Sequence, residues 1–453
     1  MRIIIAGGGK VGMTLAQRLS QEDHDLILID TNSDLIEKAL ATYDIMGIVG
    51  HGASAQILKE AEADKADIFI STTDSDELNI LSCLIAEKMG TQHTIARVRN
   101  PEYSKQLSFF KNELGLSMIV NPEFETANEI FRVLKFPTAI RLDVFCKGKV
   151  ELAQIDIGEN PLLDNLKLMD LPSKIGVRVI IGAVQRDNKV YIPKGDFVLK
   201  NNDIIHIAAS HKDLSQFLKK VQLFKEKAGR VMIIGGSKIA YYLADLLQDT
   251  KISTTIIEID KNRCLELSSL LPSSKIVLGD GTDQTLLIEE GLLQSDVFIS
   301  LLGIDEENII LSMYADKLKI GKTIAKINNF ALTELMGSLL TQSTVSPRGI
   351  TADRILRYVR ALQNTQGSTV NTLYRIIDKK VDTMEFVISQ DNLPYLNKAL
   401  KDLKFKKDVL VVCIIRYGKL IYPTGNDHIM CKDNVVVISP AQDYINDFAD
   451  LLE

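Results

Sequence analysis

The amino-acid sequence predicts an α/β fold with two doubly wound parallel sheets, each followed by a small α+β module. Short β-branched segments such as RIIIA and DIFI alternate with segments of helical periodicity such as KVGMTLAQRLS. The glycine-rich stretch AGGGKVG at 6–12 follows a strand and opens a helix. A related stretch, IGGSKIA at 234–240, indicates that the whole arrangement occurs twice.

The repeat extends through nearly all of the 453 residues. Each unit begins with strand–helix alternation and ends with paired strands that are separated by turn signals. ADIFISTTDSDELNI (66–80) aligns with SDVFISLLGIDEENI (295–309), and RDNKVYIPKGD (186–196) aligns with RYGKLIYPTGN (416–426). The predicted domains are two parallel-sheet domains at 1–136 and 228–362, and two small modules at 137–224 and 363–453.

A proline-started amphipathic helix is predicted at the end of each parallel-sheet domain, in NPEFETANEIFRVLKF (121–136) and SPRGITADRILRYVRAL (346–362). Helices at such junctions often pack against a neighbouring subunit, and plain connectors have the same pattern. The sequence leaves both roles open.

Composition and charge exclude several classes of protein. Apolar residues make up 46% and charged residues 25%, which is typical of soluble globular proteins. A net charge of -6 argues against nucleic acid as the main partner. No segment approaches the roughly 18–20 apolar residues of a membrane span, so we expect a cytoplasmic protein. The five scattered cysteines predict buried or unreactive reduced thiols and no metal site.

The first glycine loop has the spacing of a Rossmann-type dinucleotide site. Gly7 permits the tight turn, Gly9 lets a pyrophosphate approach the backbone, and Gly12 lets the helix pack closely on the strand. The helix N-terminus then offers free N–H groups to the phosphates. Asp30 closes the second strand 23 residues after Gly7, where an acid accepts hydrogen bonds from ribose hydroxyls and repels a 2′-phosphate. The pattern therefore favours NAD or another unphosphorylated adenosine ligand over NADP.

The second glycine loop is less complete. Gly235, Ser237 and Ala240 take the three glycine positions, and Glu258 takes the position of the acid. Ser237 introduces a side chain where the backbone and a pyrophosphate should meet. We therefore expect the first site to be the tighter one for NAD.

Further polar residues lie at the carboxyl ends of predicted strands, where open α/β sheets bind ligands. Thr73 and Asp74 follow the fourth strand of the first sheet, and Arg97 ends the fifth. Lys326 is the counterpart of Arg97. A cation at this place can serve a phosphate site or a surface ion pair, and the sequence favours neither.

The sequence shows no catalytic apparatus. A dehydrogenase needs a proton-transferring group beside the nicotinamide, and none of the six histidines recurs at equivalent positions in the two copies. Neither a nucleophile elbow nor a P-loop lysine is present. Two nucleotide domains without catalytic groups indicate a sensor whose ligand changes the arrangement of domains.

The motifs GGGKVG, LILID, GHGAS, DSDELN, TIAR and VLGDGTDQTLL, in this domain order, resemble the TrkA family over essentially the whole chain. Its members are NAD-binding regulatory subunits of Trk potassium uptake systems, built from tandem RCK domains with TrkA C-terminal modules. The resemblance implies a nucleotide site at Gly7, Gly8, Gly9, Lys10, Val11, Asp30, Thr73, Asp74 and Arg97, and a second at Gly235, Gly236, Ser237, Lys238, Ile239, Glu258, Gly279, Asp280 and Lys326.

The resemblance also implies assembly and partners. It implies a homotetrameric gating ring on the cytoplasmic face of the membrane, docked beneath a potassium-translocating subunit of the TrkH or TrkG type. ATP and ADP join NAD as candidate ligands, because Asp30 accepts any adenosine ribose. Shorter relatives obtain paired nucleotide domains by dimerising, and duplication would give one chain the same pairing. Two alternatives stay open: an NAD-dependent oxidoreductase, and a nucleotide-sensing regulator of another cation transporter.

Overall fold

The computed structural model describes residues 1–22, 24–104, 113–135, 139–187, 189–223, 228–329, 332, 343–364, 370–376, 380–391, 393–441, 445 and 447–453. Its first part is a parallel sheet covered by helices. The elements are β1 (Arg2–Ala6), α1 (Lys10–Leu19), β2 (Asp25–Asp30), α2 (Ser33–Thr42), β3 (Met46–Val49), α3 (Ala55–Glu60), β4 (Ile68–Ser71), α4 (Asp76–Met89), β5 (His93–Arg97), α5 (Pro101–Ser104), β6 (Met118–Val120) and α6 (Pro122–Lys135).

A small module follows the first parallel sheet. It contains β7 (Arg141–Phe145), β8 (Val150–Asp156), α7 (Leu171–Ile175), β9 (Ile180–Arg186), β10 (Lys189–Tyr191), β11 (Ile204–Ala209) and α8 (His211–Lys220).

The second unit repeats both parts. Its elements are β12 (Arg230–Ile234), α9 (Lys238–Gln248), β13 (Ser253–Glu258), α10 (Lys261–Leu270), β14 (Lys275–Leu278), α11 (Gln284–Glu289), β15 (Val297–Ser300), α12 (Asp305–Lys317), β16 (Lys322–Lys326), β17 (Ser343–Val345), α13 (Pro347–Asn364), β18 (Val370–Ile376), β19 (Val381–Val387), β20 (Leu410–Arg416), β21 (Lys419–Ile421) and β22 (Asn434–Pro440).

The two six-stranded sheets have the same strand order. The first runs β3-β2-β1-β4-β5-β6 and the second β14-β13-β12-β15-β16-β17. The order reverses beside the first strand of each sheet, so a crevice opens at the carboxyl ends between β1 and β4 and between β12 and β15. The predicted α/β class with two Rossmann-like parallel sheets is confirmed.

Each small module is a five-stranded antiparallel sheet, and the two are equivalent in strand order. The first runs β10-β9-β11-β8-β7 and the second β18-β19-β22-β20-β21. A bidentate ion pair recurs in both, with Arg186 on Asp203 and Arg416 on Asp433. The carboxylates are fully buried, and each also accepts a backbone N–H, from Lys200 or Met430. Such pairs fix the turn before the last strand of the module.

The two modules also pack against each other. One apolar cluster contains Phe145 and Leu152 from the first module and Val412 and Ile438 from the second. The phenolic O–H of Tyr422 reaches Asp213 Oδ2 of the first module at 2.6 Å. This shared cluster joins the modules of the two repeats.

The connecting helices, α6 and α13, each end one parallel-sheet domain and pack in the core of the other. Helix α6 belongs to the first unit, but Ile130 lies in one apolar core with residues of β12 and α9. Helix α13 belongs to the second unit, and Ile355 lies in the core built around β1 and α1. Both helices thus pack on the opposite half of the same chain and are more than plain connectors. The contact between the two parallel-sheet domains that the duplication hypothesis requires is present.

Polar contacts accompany the exchange. The Asn121 Nδ2–H donates to the Tyr242 hydroxyl at 2.9 Å, and that hydroxyl donates to the Arg99 carbonyl at 3.2 Å. Arg354 of α13 pairs with Glu125 of α6 at 2.9 Å. Helix α9, which follows the second glycine loop, is thus tied to the end of the first sheet.

The first glycine loop is tighter than the second. A Cβ built on Gly12 would lie 1.8 Å from the Gly7 carbonyl oxygen, which no real atom pair tolerates. Ala240 stands at the equivalent place and is fully buried. The second loop must be wider there, so the Gly-to-Ala difference changes the backbone and is more than one added methyl.

Among the described residues, none of the helices has both the length and the apolarity needed to cross a lipid bilayer. The cysteines Cys83, Cys146, Cys264 and Cys413 are buried and none is in a disulfide.

Ile130→Ala should destabilise the second parallel sheet rather than its own, because the side chain fills the core of the opposite half. Large-to-small changes of this kind cost about 2–5 kcal/mol. Hydrogen exchange should show lost protection in β12 and α9. Ile355→Ala is the matched variant and should expose β1 and α1; loss confined to each variant's own unit would contradict the exchange.

Gly12→Ala should destabilise the chain by about 1–3 kcal/mol or more, since the new methyl meets the Gly7 carbonyl oxygen. Ala240→Gly is the control and should cost about 1–2 kcal/mol, from helix propensity and the lost buried methyl group, with no clash. Urea unfolding monitored by circular dichroism checks both. Equal effects would show that the two loops have the same width.

Candidate nucleotide sites

The first crevice is built by the turn from β1 into α1. The Gly7 N–H donates to the Ile29 carbonyl at 2.8 Å, and Gly7 has φ +100°, which favours glycine. Gly9 is exposed and is the N-cap of α1, with no side-chain cap on the helix. Lys10 is exposed and Val11 is buried, so Val11 can offer only its backbone N–H.

The acid of the first crevice is held by the glycine loop itself. Asp30 Oδ2 accepts the Gly8 N–H at 2.6 Å, and Asp30 Oδ1 accepts the Asn32 N–H at 2.8 Å. Each carboxylate oxygen keeps lone pairs for further donors. The carboxylate is therefore oriented before any ligand arrives, beside the loop where a ribose diol would sit.

A buried asparagine joins the ends of β4 and β5. Asn79 Oδ1 accepts the Thr73 N–H and the Thr73 hydroxyl, both at 2.7 Å, and its Nδ2 donates to the Arg97 carbonyl at 2.9 Å. The Arg97 guanidinium donates to the Thr73 carbonyl at 2.6 Å and to Asp74 Oδ1 at 3.3 Å. Thr73, Asp74 and Arg97 are thus brought together, with Arg97 largely buried and Asp74 fully exposed.

Cations of both halves face one half-buried acid. Burial raises the pKa of Glu123, at the start of α6, while the charges of Arg99, Arg97 and Lys238 oppose the rise. Burial likewise lowers the pKa of Arg97, and the neighbouring Arg99 lowers it further. Burial also lowers the pKa of Lys326, against the charges of Asp305 and Glu123. Glu123 therefore lies in the field of cations from both crevices.

The second crevice repeats the acid–amide contact. Glu258 Oε2 accepts the Gly236 N–H at 2.6 Å, and Glu258 Oε1 accepts the Asp260 N–H at 2.8 Å. The Gly235 N–H donates to the Ile257 carbonyl at 2.8 Å.

The remaining predicted residues of the second crevice are placed as follows. The Gly279 N–H donates to the Glu258 carbonyl at 2.9 Å. Asp280 is exposed, and Thr282 donors lower its pKa. Lys326 Nζ donates to the Leu301 carbonyl at 3.3 Å. Lys238 is exposed, and Ile239 is buried in the core.

Ser237 does not simply intrude into the crevice. It is the N-cap of α9, and its hydroxyl accepts the Ala240 N–H at 3.4 Å. The first crevice has no such contact at Gly9.

Sequence reasoning missed four residues that the structure brings to the crevices: Asn79 with its equivalent Asn308, Glu123 and Arg263. The asparagines could have been found, because DSDELN and IDEEN carry them at the same position of the repeat. Glu123 and Arg263 gave no signal in the sequence, since their roles depend on which surfaces meet.

A dinucleotide fits the first crevice. A Cβ built on Gly9 would meet nothing within 4 Å, so the backbone there is open. The uncapped N-terminus of α1 offers N–H groups and the positive end of the helix dipole to an anion. Asp30 offers acceptors to a diol. A bound dinucleotide would supply the pyrophosphate and the ribose that these groups match.

Comparison with known proteins identifies the family. The TrkA-N domain model matches residues 3–122 and 231–347, and the TrkA-C domain model matches residues 152–222. The chain is 31% identical to the Trk system potassium uptake protein TrkA homolog of Archaeoglobus fulgidus, over 97% of both chains. It is also 31% identical to a TrkA homolog of Methanosarcina mazei, over 97% of this chain and 98% of the relative.

Solved structures share the fold. The GsuK channel bound to NAD aligns with a TM-score of 0.63 at 16% identity, over 97% of this chain and 76% of that one. The GsuK RCK domain aligns with a TM-score of 0.61 at 17% identity, over 97% and 92%. The chain belongs to the TrkA family, and both of the relatives named above are potassium uptake proteins of the Trk system.

Proposed function

We propose that this protein is the cytoplasmic, nucleotide-binding gating subunit of a Trk-type potassium uptake transporter. NAD, in either redox state, is the proposed ligand, with ATP and ADP as competitors for the same crevice. The observation that carries the proposal is the first crevice, where an open Gly9 backbone and an uncapped helix N-terminus stand beside the preoriented Asp30 carboxylate.

The chain's own contacts provide a route from this crevice to the opposite half. Asn79 holds Thr73 and Arg97 at the crevice edge. The loop after Arg97 accepts a hydrogen bond from Tyr242 of α9, at the Arg99 carbonyl. A ligand that moves the strand ends would therefore move an element of the second half as well. A ligand shifts such an arrangement only by its difference in affinity for the two states.

The proposed partner is a potassium-translocating membrane subunit of the TrkH or TrkG type. The names of the relatives at 31% identity support this, since they are Trk system proteins. We propose that the protein lies peripherally on the cytoplasmic face of the membrane, through contact with this partner. The same names, which are those of potassium uptake proteins, favour this role over the oxidoreductase alternative.

A homotetramer is the proposed assembly. Leu81 on α4 is 50% exposed, and Ile310, its equivalent on α12, is 65% exposed. Repeated apolar residues on the outer helices are suited to burial between copies of the chain. The mass of the purified protein, by light scattering, tests the assembly.

Asp30→Ala should weaken NADH binding about tenfold or more, equivalent to roughly 1.5–3 kcal/mol, because charge-assisted hydrogen bonds to the ribose are lost. Titration calorimetry on the full chain measures the change. Glu37→Ala on the exposed face of α2 removes the same charge outside the crevice and should bind normally. Unchanged affinity in Asp30→Ala would remove Asp30 from the ribose role.

Cells that lack this protein should grow poorly when potassium is limiting, and a plasmid copy should restore growth. In normal cells the protein should fractionate with membranes, and in cells deleted for the potassium-translocating subunit it should become soluble. Normal growth of the deletion strain would favour the regulator of another cation transporter. Turnover of nicotinamide with a metabolite mixture would favour the oxidoreductase.

A further inference from the structure

The two crevices differ in whether a side chain of the protein already accepts a hydrogen bond from the N–H groups at the start of the helix. In the first, α1 begins at Gly9 without a side-chain cap, and a Cβ on Gly9 would meet nothing within 4 Å. In the second, the Ser237 hydroxyl accepts the Ala240 N–H at 3.4 Å. A phosphate bound at a helix N-terminus accepts these same N–H groups. Ser237 therefore occupies a donor that a pyrophosphate would need.

Arg263 makes a second side-chain contact with the second glycine loop. Its Nε–H donates to the Gly236 carbonyl at 2.7 Å, and its Nη1 pairs with Glu266 Oε2 at 2.7 Å. The Gly236 N–H is already held by Glu258. Both polar groups of Gly236 are thus bonded within the protein. The equivalent of Arg263 on α2 is Leu35, which carries no charge and no donor.

The strand end beside the second loop is apolar. Leu302 replaces Thr73, and its Cδ2 would lie 3.2 Å from a Cβ built on Gly235. Leu302 packs against the core of the second sheet. Gly303 replaces Asp74, so the polar pair of the first crevice has no counterpart here.

We infer that the second crevice is closed to nucleotides by its own side chains. The Ser237 hydroxyl, the Arg263 guanidinium and the Leu302 side chain hold the second loop in one arrangement without a ligand. Each chain then binds one nucleotide, in the first crevice. This inference rests on the proposed nucleotide binding and adds which half senses the nucleotide.

Calorimetry with NADH, ADP and ATP in turn, on the full chain, tests the closure. The unchanged protein should bind about one nucleotide per chain. Glu258→Ala should leave both the affinity and the stoichiometry unchanged. The triple variant Ser237→Gly/Arg263→Leu/Leu302→Thr gives the second crevice the corresponding residues of the first and should bind about two per chain, the second within about tenfold of the first.

A double variant of the first crevice is the matched control. Gly9→Ser/Leu35→Arg gives the first crevice the residues of the second and should weaken binding about tenfold or more. Circular dichroism and size-exclusion chromatography show whether each variant folds. Hydrogen exchange should slow at residues 10–12 on addition of NADH and stay constant at 238–240, a readout that does not depend on transport.

The outcomes separate the two proposals. An unchanged protein that binds two nucleotides, or a Glu258→Ala variant that loses affinity, overturns the closure and leaves the proposed function standing. A Ser237→Gly/Arg263→Leu/Leu302→Thr variant that folds but gains no site also overturns it. Wild-type protein that binds none of the three nucleotides refutes the proposed function. The closure is then judged by whether the variant with the opened second crevice gains binding.

Discussion

The exchange of connecting helices is the packing interaction on which the rest of the molecule depends. Ile130 completes the core of the second parallel sheet, and Ile355 completes the core of the first. Each sheet buries part of its apolar face against a helix of the other unit, so the two halves stabilise each other. The exchange also brings Tyr242 to the end of the first sheet and Glu123 among cations of both halves. These contacts connect the end of the first sheet directly with residues of the second half.

Within each half, one local contact sets the geometry of the crevice. A carboxylate at the end of the second strand accepts an N–H of the glycine loop, from Gly8 in the first copy and Gly236 in the second. The contact fixes both the loop and the acid. Preorganisation of this kind reduces the ordering cost of a ligand that needs both. It survives in the second copy although other features of a nucleotide site do not, which indicates that it serves the fold as well.

The difference between the copies is greater in the structure than in the sequence. The change from Gly9 to Ser237 suggests only an added side chain, but the hydroxyl caps its helix and changes the hydrogen bonds available. The change from Gly12 to Ala240 likewise widens the loop. Duplication followed by divergence thus gives one chain two sheets of the same topology with different surfaces at the crevice.

The sequence by itself determined the two sheets, the repeat, and the places of the glycines and of Asp30, because a strand, its turn and the following helix are specified by near neighbours. The tertiary structure alone decided which core helix α6 packs into. It also decided that Asn79 joins the ends of β4 and β5 and that Arg263 contacts the second loop. The apolar stripe of α6 would bury similar area on either half or on another subunit, so its pattern cannot name the partner. Such contacts join residues far apart in the chain, and their choice depends on which surfaces pack most completely once the sheets have formed.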